Sequence, residues 1–176
     1  RAQCATVFGA MHDVTHVVYA AVSEDSTQLI RGWLDDARMR TNETMLAHVF
    51  EPLLRAARLE HVSLMQGTKA YGVVVGAETG YTFRERAPRV PHANFYWLQE
   101  DWLRGQQARG DWALTIMRPV LVMGDAVGSN LNALLVIAVY AALRREAGLP
   151  LAFPGPPVRT PIELVDCDLV ASALKW

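Results

Sequence analysis

Cysteine is scarce in this 176-residue sequence: Cys4 and Cys167 stand far apart and in no Cys-x-x-Cys spacing. Neither a disulfide framework nor a structural zinc site is supported, and a reducing cytoplasm is the default compartment. Excess charge is lacking too. A net charge of -1 and a pI near 6.6 leave no overall basic field to favour a nucleic-acid backbone or an anionic membrane, so a small uncharged organic molecule is the better partner. No run approaches the ~18 consecutive apolar residues of a membrane span. The opening Arg1-Ala-Gln-Cys4 has neither an initiator Met nor the apolar region of a signal peptide, and the beginning reads as cut. Ser63 and Ser129 lack a Gly-x-Ser-x-Gly elbow, which disfavours a hydrolase. His12 and His16 are four apart, but His16 opens a strand and no carboxylate triad accompanies the pair, so no metal is expected. Lysine is the scarcest ionisable type relative to its kin, with two lysines against fifteen arginines.

What is present is apolar: 51% hydrophobic against 20% charged residues, enough for a sizeable core in one domain. Short apolar runs alternate with helical stripes, which predicts an α/β chain of βαβ units with a largely parallel sheet covered on both faces. The β-branched run His16-Val-Val-Tyr-Ala-Ala21 predicts a strand buried on both sides. Met45, Val49, Leu53, Leu54 and Ala57 recur at helical spacing behind Thr41 or Asn42 as cap, giving a helix over roughly 42 to 58 with Pro52 as a kink. Val62-Ser-Leu-Met65 is a second strand, and Lys69 lies just past its C-terminal end, where open α/β sheets bind ligands. Residues 72 to 93 hold Gly72, Gly76, Gly80, Pro88 and Pro91 without a sustained period, and read as a long loop.

A helix is expected from near Asn94 to about Arg109 with Tyr96 in its first turn. Glu100 and Asp101 read as charges favoured by the positive end of its dipole. Leu114-Thr-Ile-Met117 and Val120-Leu-Val-Met123 follow as strands. Then Leu131, Leu134, Leu135, Ala138, Val139, Ala142 and Leu143 make one apolar helix face, stopped by Gly148 and Pro150. Leu151-Ala-Phe153 is expected to be a short strand leading to the turn Pro154-Gly-Pro-Pro157, and a last helix runs from Asp168 to Leu174.

A phenol is a suitable donor to an oxygen on which negative charge develops during hydride transfer to a carbonyl. Tyrosine's reference pKa of ~10 is high for proton exchange at neutral pH, and a neighbouring ammonium lowers it. The usual short-chain reductase places that lysine four residues after the tyrosine. Here position i+4 is Ser23, Val75, Glu85, Glu100 or Arg144, so any Tyr and Lys pair must join different segments, and Lys69 at a strand end is the good candidate.

The segments Thr15-His-Val-Val-Tyr-Ala-Ala21, Leu64-Met-Gln-Gly-Thr-Lys-Ala-Tyr-Gly72, Asn94-Phe-Tyr-Trp-Leu-Gln-Glu-Asp101, Arg118-Pro119 and Phe153-Pro-Gly155 occur in the order seen in the atypical extended short-chain dehydrogenase/reductases. The chain resembles the family of progesterone 5β-reductase and iridoid synthase, with bacterial proteins often labelled NAD-dependent epimerases or dehydratases. The resemblance implies a Rossmann-like doubly wound sheet, present as its central part, with the N-terminal βαβ unit and its Gly-x-x-Gly-x-x-Gly loop ahead of Arg1. The substrate-binding part would start near 125 and run to 176.

It further implies that Tyr96 faces the substrate carbonyl and that Lys69 stands near the nicotinamide ribose. Gln66, Ala20, Ala21, Pro119 and Val122 would line the cofactor together with Lys69 and Tyr96. The implied cofactor is NADP(H), with NAD(H) left open because the discriminating residues lie upstream. In these relatives the hydride goes to the β-carbon of an enone; carbonyl reduction is the other outcome of such a site. The plant enone reductases carry a Trp where this sequence has Val22, so the pocket is not a steroid pocket by default; Val22 and Tyr71 are its candidate lining.

Other readings stand beside this one. Tyr71 is as open to packing under the long loop as to lining a pocket, and Trp97 and Trp102 to packing or to meeting a second copy in a homodimer. A nucleotide-sugar epimerase or dehydratase shares the extended fold but usually keeps the Tyr-x-x-x-Lys pairing missing here. A degenerate Rossmann-like domain that binds without turnover is the reading from another class.

Overall fold

The computed structural model describes residues 1–24, 34–76, 82–125, 132–155 and 162–175; Gly80, Ser129, Leu131, Pro156, Pro157 and Trp176, which enter the sequence analysis, lie outside them. The chain forms two compact units, Arg1–Arg118 and Pro119–Trp176.

In the first unit the order is α1 (Ala2–Phe8), β1 (His16–Tyr19), α2 (Asp36–Ala56), β2 (His61–Met65), two 3-10 turns (Thr68–Tyr71 and Val73–Val75), α3 (Phe95–Gln107) and β3 (Ala113–Met117). The strands form a parallel sheet in the order β1-β2-β3, with Val17 opposite Val62 and Val62 opposite Leu114. Each strand is followed by a helical crossover to its neighbour, so this is an α/β chain of parallel strands, consistent with a Rossmann-like fold.

Side chains alternate along a strand, and this sheet uses the alternation asymmetrically. Tyr19, Val62 and Leu64, with Val17, Leu114 and Ile116, turn toward Leu46, Phe50 and Leu53 of α2 and Leu103 of α3 to make the core. The opposite face carries His16, Val18, His61 and Thr115, where the His16 and His61 rings stack at 6.1 Å and His61 Nε2 lies 3.0 Å from Thr115 Oγ1. Val18 is 53% exposed. The strand predicted to be buried on both sides is therefore, among the described residues, an edge strand with one face packed, and it ends at Tyr19 rather than Ala21. Strand-rich, β-branched composition is compatible with either burial pattern.

Helix α2 begins earlier than its apolar stripe predicts. Asp35, in extended conformation, caps it by accepting a hydrogen bond from Arg38 N at 2.9 Å, and Asp36 adds a negative charge at the positive end of the dipole. Neither Thr41 nor Asn42 is the cap; both lie inside the helix, whose first turn already buries Met39. Pro52 is buried inside the helix without ending it. Helix α1 precedes β1 where the sequence analysis expects no element, and packs against α2.

The second unit contains β4 (Leu121–Met123), α4 (Ala133–Glu146), β5 (Leu164–Asp166) and α5 (Cys167–Lys175), with β4 and β5 parallel. Asn132 caps α4 by accepting from Leu134 N, and its amide donates to Gly124 O at 2.6 Å. Gly124 has a φ of 153°, and a Cβ there would run into Cys167 Sγ, so only glycine fits. Leu151–Phe153 is not a strand. The apolar face of α4 is helical as expected, yet Leu135 and Leu143 are 56% and 65% exposed.

The core makes a direct prediction. Leu46 is fully buried between α2 and the sheet, so Leu46→Ala should lower unfolding free energy by about 3 kcal/mol through lost burial and the cavity left behind, read from urea unfolding.

Candidate active site

The chain leaves β2 at its C-terminal end through Gln66 and Gly67 and turns tightly at Thr68–Tyr71. Gly72 lets it do so: it closes one 3-10 turn and opens the next at φ 81°, a left-handed conformation that costs a residue with a Cβ. This places Lys69 beside the start of α3. Three hydrogen bonds join the two segments. Asn94 Nδ2 donates to Lys69 O at 2.9 Å, His92 Nε2 lies 3.2 Å from the same oxygen, and Gln66 Nε2 donates to Tyr96 O at 2.9 Å. Asn94 also caps α3 by accepting from Tyr96 N at 3.0 Å. Tyr96 stands in the first turn, as predicted, with its ring edge-on to Phe95 at 4.8 Å.

The two candidate side chains share an electrostatic neighbour that the sequence analysis does not single out. Glu24, four residues past Ala20, brings Oε1 to 3.8 Å from Lys69 Nζ. Burial pulls the Lys69 ammonium below its ordinary pKa, and Glu24 opposes that. For Tyr96, burial first and Glu24 second push the phenol well above the ordinary tyrosine value. The expectation of a phenol eased downward by an ammonium is thus reversed: desolvation and a carboxylate both penalise the phenolate, and Tyr96 stays a protonated hydrogen-bond donor.

The other candidates divide. Ala20, Ala21 and Val22 lie exposed in the segment following β1, at the same C-terminal rim of the sheet as Gln66 and Lys69. Tyr71 packs: its ring stacks on Phe83 at 4.6 Å and 4°, with the Arg118 guanidinium 5.3 Å from its centroid. Pro119 and Val122 belong to the second unit, where Val122 pairs with Val165 across β4 and β5.

Beneath the site lies a charge cluster. Glu100 is buried, its side chain only 6% exposed, and its carboxylate receives Arg104 Nε at 2.8 Å and Arg118 Nη2 at 2.7 Å, with Arg89 at 3.3 Å. Arg118 Nε also donates to Gln66 Oε1 at 3.0 Å, and Arg89 spans to Asp101 at 2.7 Å while lying 4.4 Å over the Trp97 ring. Glu100 and Asp101 are therefore arginine anchors, not charges placed for the helix dipole. Their adjacency on the helix lets one arginine bridge both, and fifteen arginines were the available signal. Because Gln66 binds both Arg118 and Tyr96, the cluster braces the turn that carries Lys69.

Cavity size does not select this region. A space of about 550 Å³ lies at the opposite, N-terminal end of the strands, lined by Leu54, Leu59, Glu60 and Trp112, whereas about 210 Å³ lies beside the cluster, lined by Tyr71, Arg89, Trp97 and Arg118. The chemistry at the C-terminal rim does.

Two predictions follow from these contacts. Glu100→Gln leaves partly buried arginines without their counter-charge and should cost about 3 kcal/mol of stability, measured by denaturant unfolding. Tyr96→Phe should remove a late-ionising phenol from the spectrophotometric alkaline titration. Since the native phenol titrates above the 10.0 of an unfolded tyrosine, its contribution is whole below pH 10 and lost as pH rises through the native value; the variant should lose less stability above pH 10 than the parent.

No protein-family model matches the chain. It is 31% identical over 172 residues to a 3-oxo-Δ4,5-steroid 5-beta-reductase of Arabidopsis thaliana, an alignment covering 93% of this chain and 42% of that protein. It is 29% identical over 182 residues to an (S)-8-oxocitronellyl enol synthase of Camptotheca acuminata, covering 97% of this chain and 44% of that protein. With the enzyme of the same name from Antirrhinum majus the identity is 28% over 175 residues, 93% and 42% of the two chains. The chain spans about two fifths of the length of these curated relatives. Over nearly all of its own length, the chain is similar to part of these plant steroid 5-beta-reductase and enol synthase proteins.

Proposed function

We propose that the protein is an NADP(H)-dependent oxidoreductase that reduces an activated C=C, as in an enone, or a C=O of a small apolar molecule. The observation that carries this reading is the stitching of the Lys69 turn to the first turn of α3 by Asn94 and Gln66, with Glu24 acting on both Lys69 and Tyr96. Similarity to proteins named as a 5-beta-reductase and enol synthases supports it.

The residues at this rim suit the nicotinamide end of a dinucleotide. Ala20 and Ala21 leave backbone accessible after β1, and Lys69 offers a half-buried ammonium next to it. The sequence contains no glycine-rich phosphate turn, so the pyrophosphate is not assigned to any residue of this chain. When bound, such a cofactor supplies hydride.

The chain's own residues would act on the oxygen. As hydride reaches the β-carbon of an enone, the electron pair of the C=C shifts and negative charge gathers on the carbonyl oxygen. Tyr96, kept protonated by burial, donates a hydrogen bond to that enolate and stabilises it without having to lose its proton. Lys69 adds positive charge at the same rim. For a simple carbonyl the charge forms on the alkoxide oxygen and the same donor serves. Val22, exposed in the segment after β1, is the candidate for lining the substrate, and its small apolar side chain fits an uncharged molecule.

The test is the fall in reduced-cofactor absorbance when the protein is mixed with NADPH and a panel of enones and aldehydes. Tyr96→Phe should cut turnover on the order of a hundredfold, the loss typical of one oxyanion donor, with little change in affinity for the cofactor. Retention of parental turnover in that variant removes Tyr96 from the mechanism, and absence of both turnover and cofactor binding in the parent removes the reductase.

A further inference from the structure

The segment after β1 is held by a side chain that mimics a strand partner. Asn42, fully buried in α2, accepts a hydrogen bond from Ser23 N at 2.7 Å and donates one to Ser23 O at 3.1 Å. Asn42 is itself held, since its side-chain amide also donates to Arg38 O and its backbone carbonyl accepts from Gln99 Nε2 of α3. With both backbone groups of residue 23 pinned, the next residue cannot swing freely. Its carboxylate is directed at Lys69, 3.8 Å away, where the side chains of Glu24 and Lys69 are 22% and 34% exposed.

We propose that Glu24 is a positioning residue for the Lys69 and Tyr96 pair: fixed through Asn42 and Ser23, its carboxylate holds the Lys69 ammonium at the sheet rim and keeps the pair as charged amine and neutral phenol. The inference rests on the reductase reading for its role in turnover, but the ion pair and its anchoring stand on contacts alone. The lysine lies in a partly desolvated turn. A buried ammonium tends to shed its proton, and the carboxylate counters this, while the same negative charge disfavours a second anion at the phenol. At Tyr96 the influence of Glu24 runs with the upward shift that burial produces, and at Lys69 it opposes the downward one.

The titratable and charged groups around the turn, among the described residues, are Glu24 from the segment after β1, His92 from the loop before α3 at the Lys69 carbonyl, Tyr96 from α3, and Tyr71 on the turn itself with Arg118 beyond it. Among the described residues, Glu24 brings a carboxylate into ion-pair range of Lys69. A carboxylate in this place also makes the site unfavourable to anionic substrates, so neutral enones and aldehydes should be preferred over their carboxylate-bearing analogues, and Glu24→Gln should narrow that preference.

The scarcity of lysine makes a direct test practicable. With Lys175→Arg in the background, Lys69 is the single lysine, and its side-chain carbon resonances can be followed against pH by NMR after isotope labelling. Glu24→Gln, nearly isosteric and near the surface, should lower the Lys69 midpoint by about half to one pH unit, a three- to tenfold loss of proton affinity. Glu24→Asp should recover part of it. Turnover against pH should move the same way, with kcat affected more than KM.

An unchanged Lys69 midpoint in Glu24→Gln, with the fold intact by circular dichroism, overturns the inference. If the midpoint moves while the parent protein oxidises no NADPH with any enone or aldehyde, the ion pair stands and the reductase reading falls. If the parent turns over and the midpoint stays put, the reductase stands and the role of Glu24 falls.

Discussion

One asparagine ties the helix that carries the phenol to the turn that carries the amine. Asn94 uses its two side-chain functions in opposite directions: the oxygen caps α3 at Tyr96 N and the amide bonds Lys69 O. A cap alone satisfies a helix end, worth about 1 kcal/mol. Here the same residue also sets the separation of two segments 25 positions apart. Asn94 is 5% exposed, so neither bond is readily replaced by water, and losing the side chain would leave buried backbone groups unpaired. Gln66 repeats the device one turn away by joining Tyr96 O to Arg118. The distance between Lys69 and Tyr96 is thus a property of a hydrogen-bonded frame rather than of two flexible side chains.

The electrostatics of that frame are built from buried charges, each partnered. Glu100 would be costly alone at 6% side-chain exposure, and the arginines at 89, 104 and 118 offset that cost. At the rim the arrangement is looser. Lys69 and Glu24 meet at 3.8 Å rather than at hydrogen-bond distance, with enough exposure for a ligand to reach them. The close pairs brace the turn from below; the looser one lies at the accessible rim. The raised phenol of Tyr96 follows from its surroundings, burial first and the Glu24 carboxylate second.

The sheet shows how much a periodic pattern leaves open. Apolar character and β-branching in residues 16 to 19 are right for a strand, and a strand forms, but periodicity does not report how many layers cover it. Val18 is exposed because the described helices of this unit pack on the other face. The same holds in the second unit, where the apolar stripe of α4 forms a capped helix whose leucines remain exposed. Hydrophobic spacing specifies a local conformation and a face. What that face meets is a separate matter, settled by elements distant along the chain.

Local interactions account for what could be read directly from the residues: three parallel strands and their crossovers, α3 with Asn94 at its head, Lys69 past a strand end and Tyr96 in a first turn. Each depends on neighbours within a few positions, through caps, glycines and side-chain spacing. The segments that resemble those reductases are local as well, and the similarity to the plant proteins extends along the same stretch. Tertiary structure alone decided that Glu24 faces Lys69, that Asn42 serves Ser23 instead of capping α2, that Tyr71 stacks on Phe83, and that Glu100 collects arginines from three segments. Apart from the Glu100 pair with Arg104 in its own helix, these are pairings across 11 to 45 residues, and in such pairings residue type constrains only the kind of partner wanted; which partner is met depends on how the strands and helices bring the chain back upon itself.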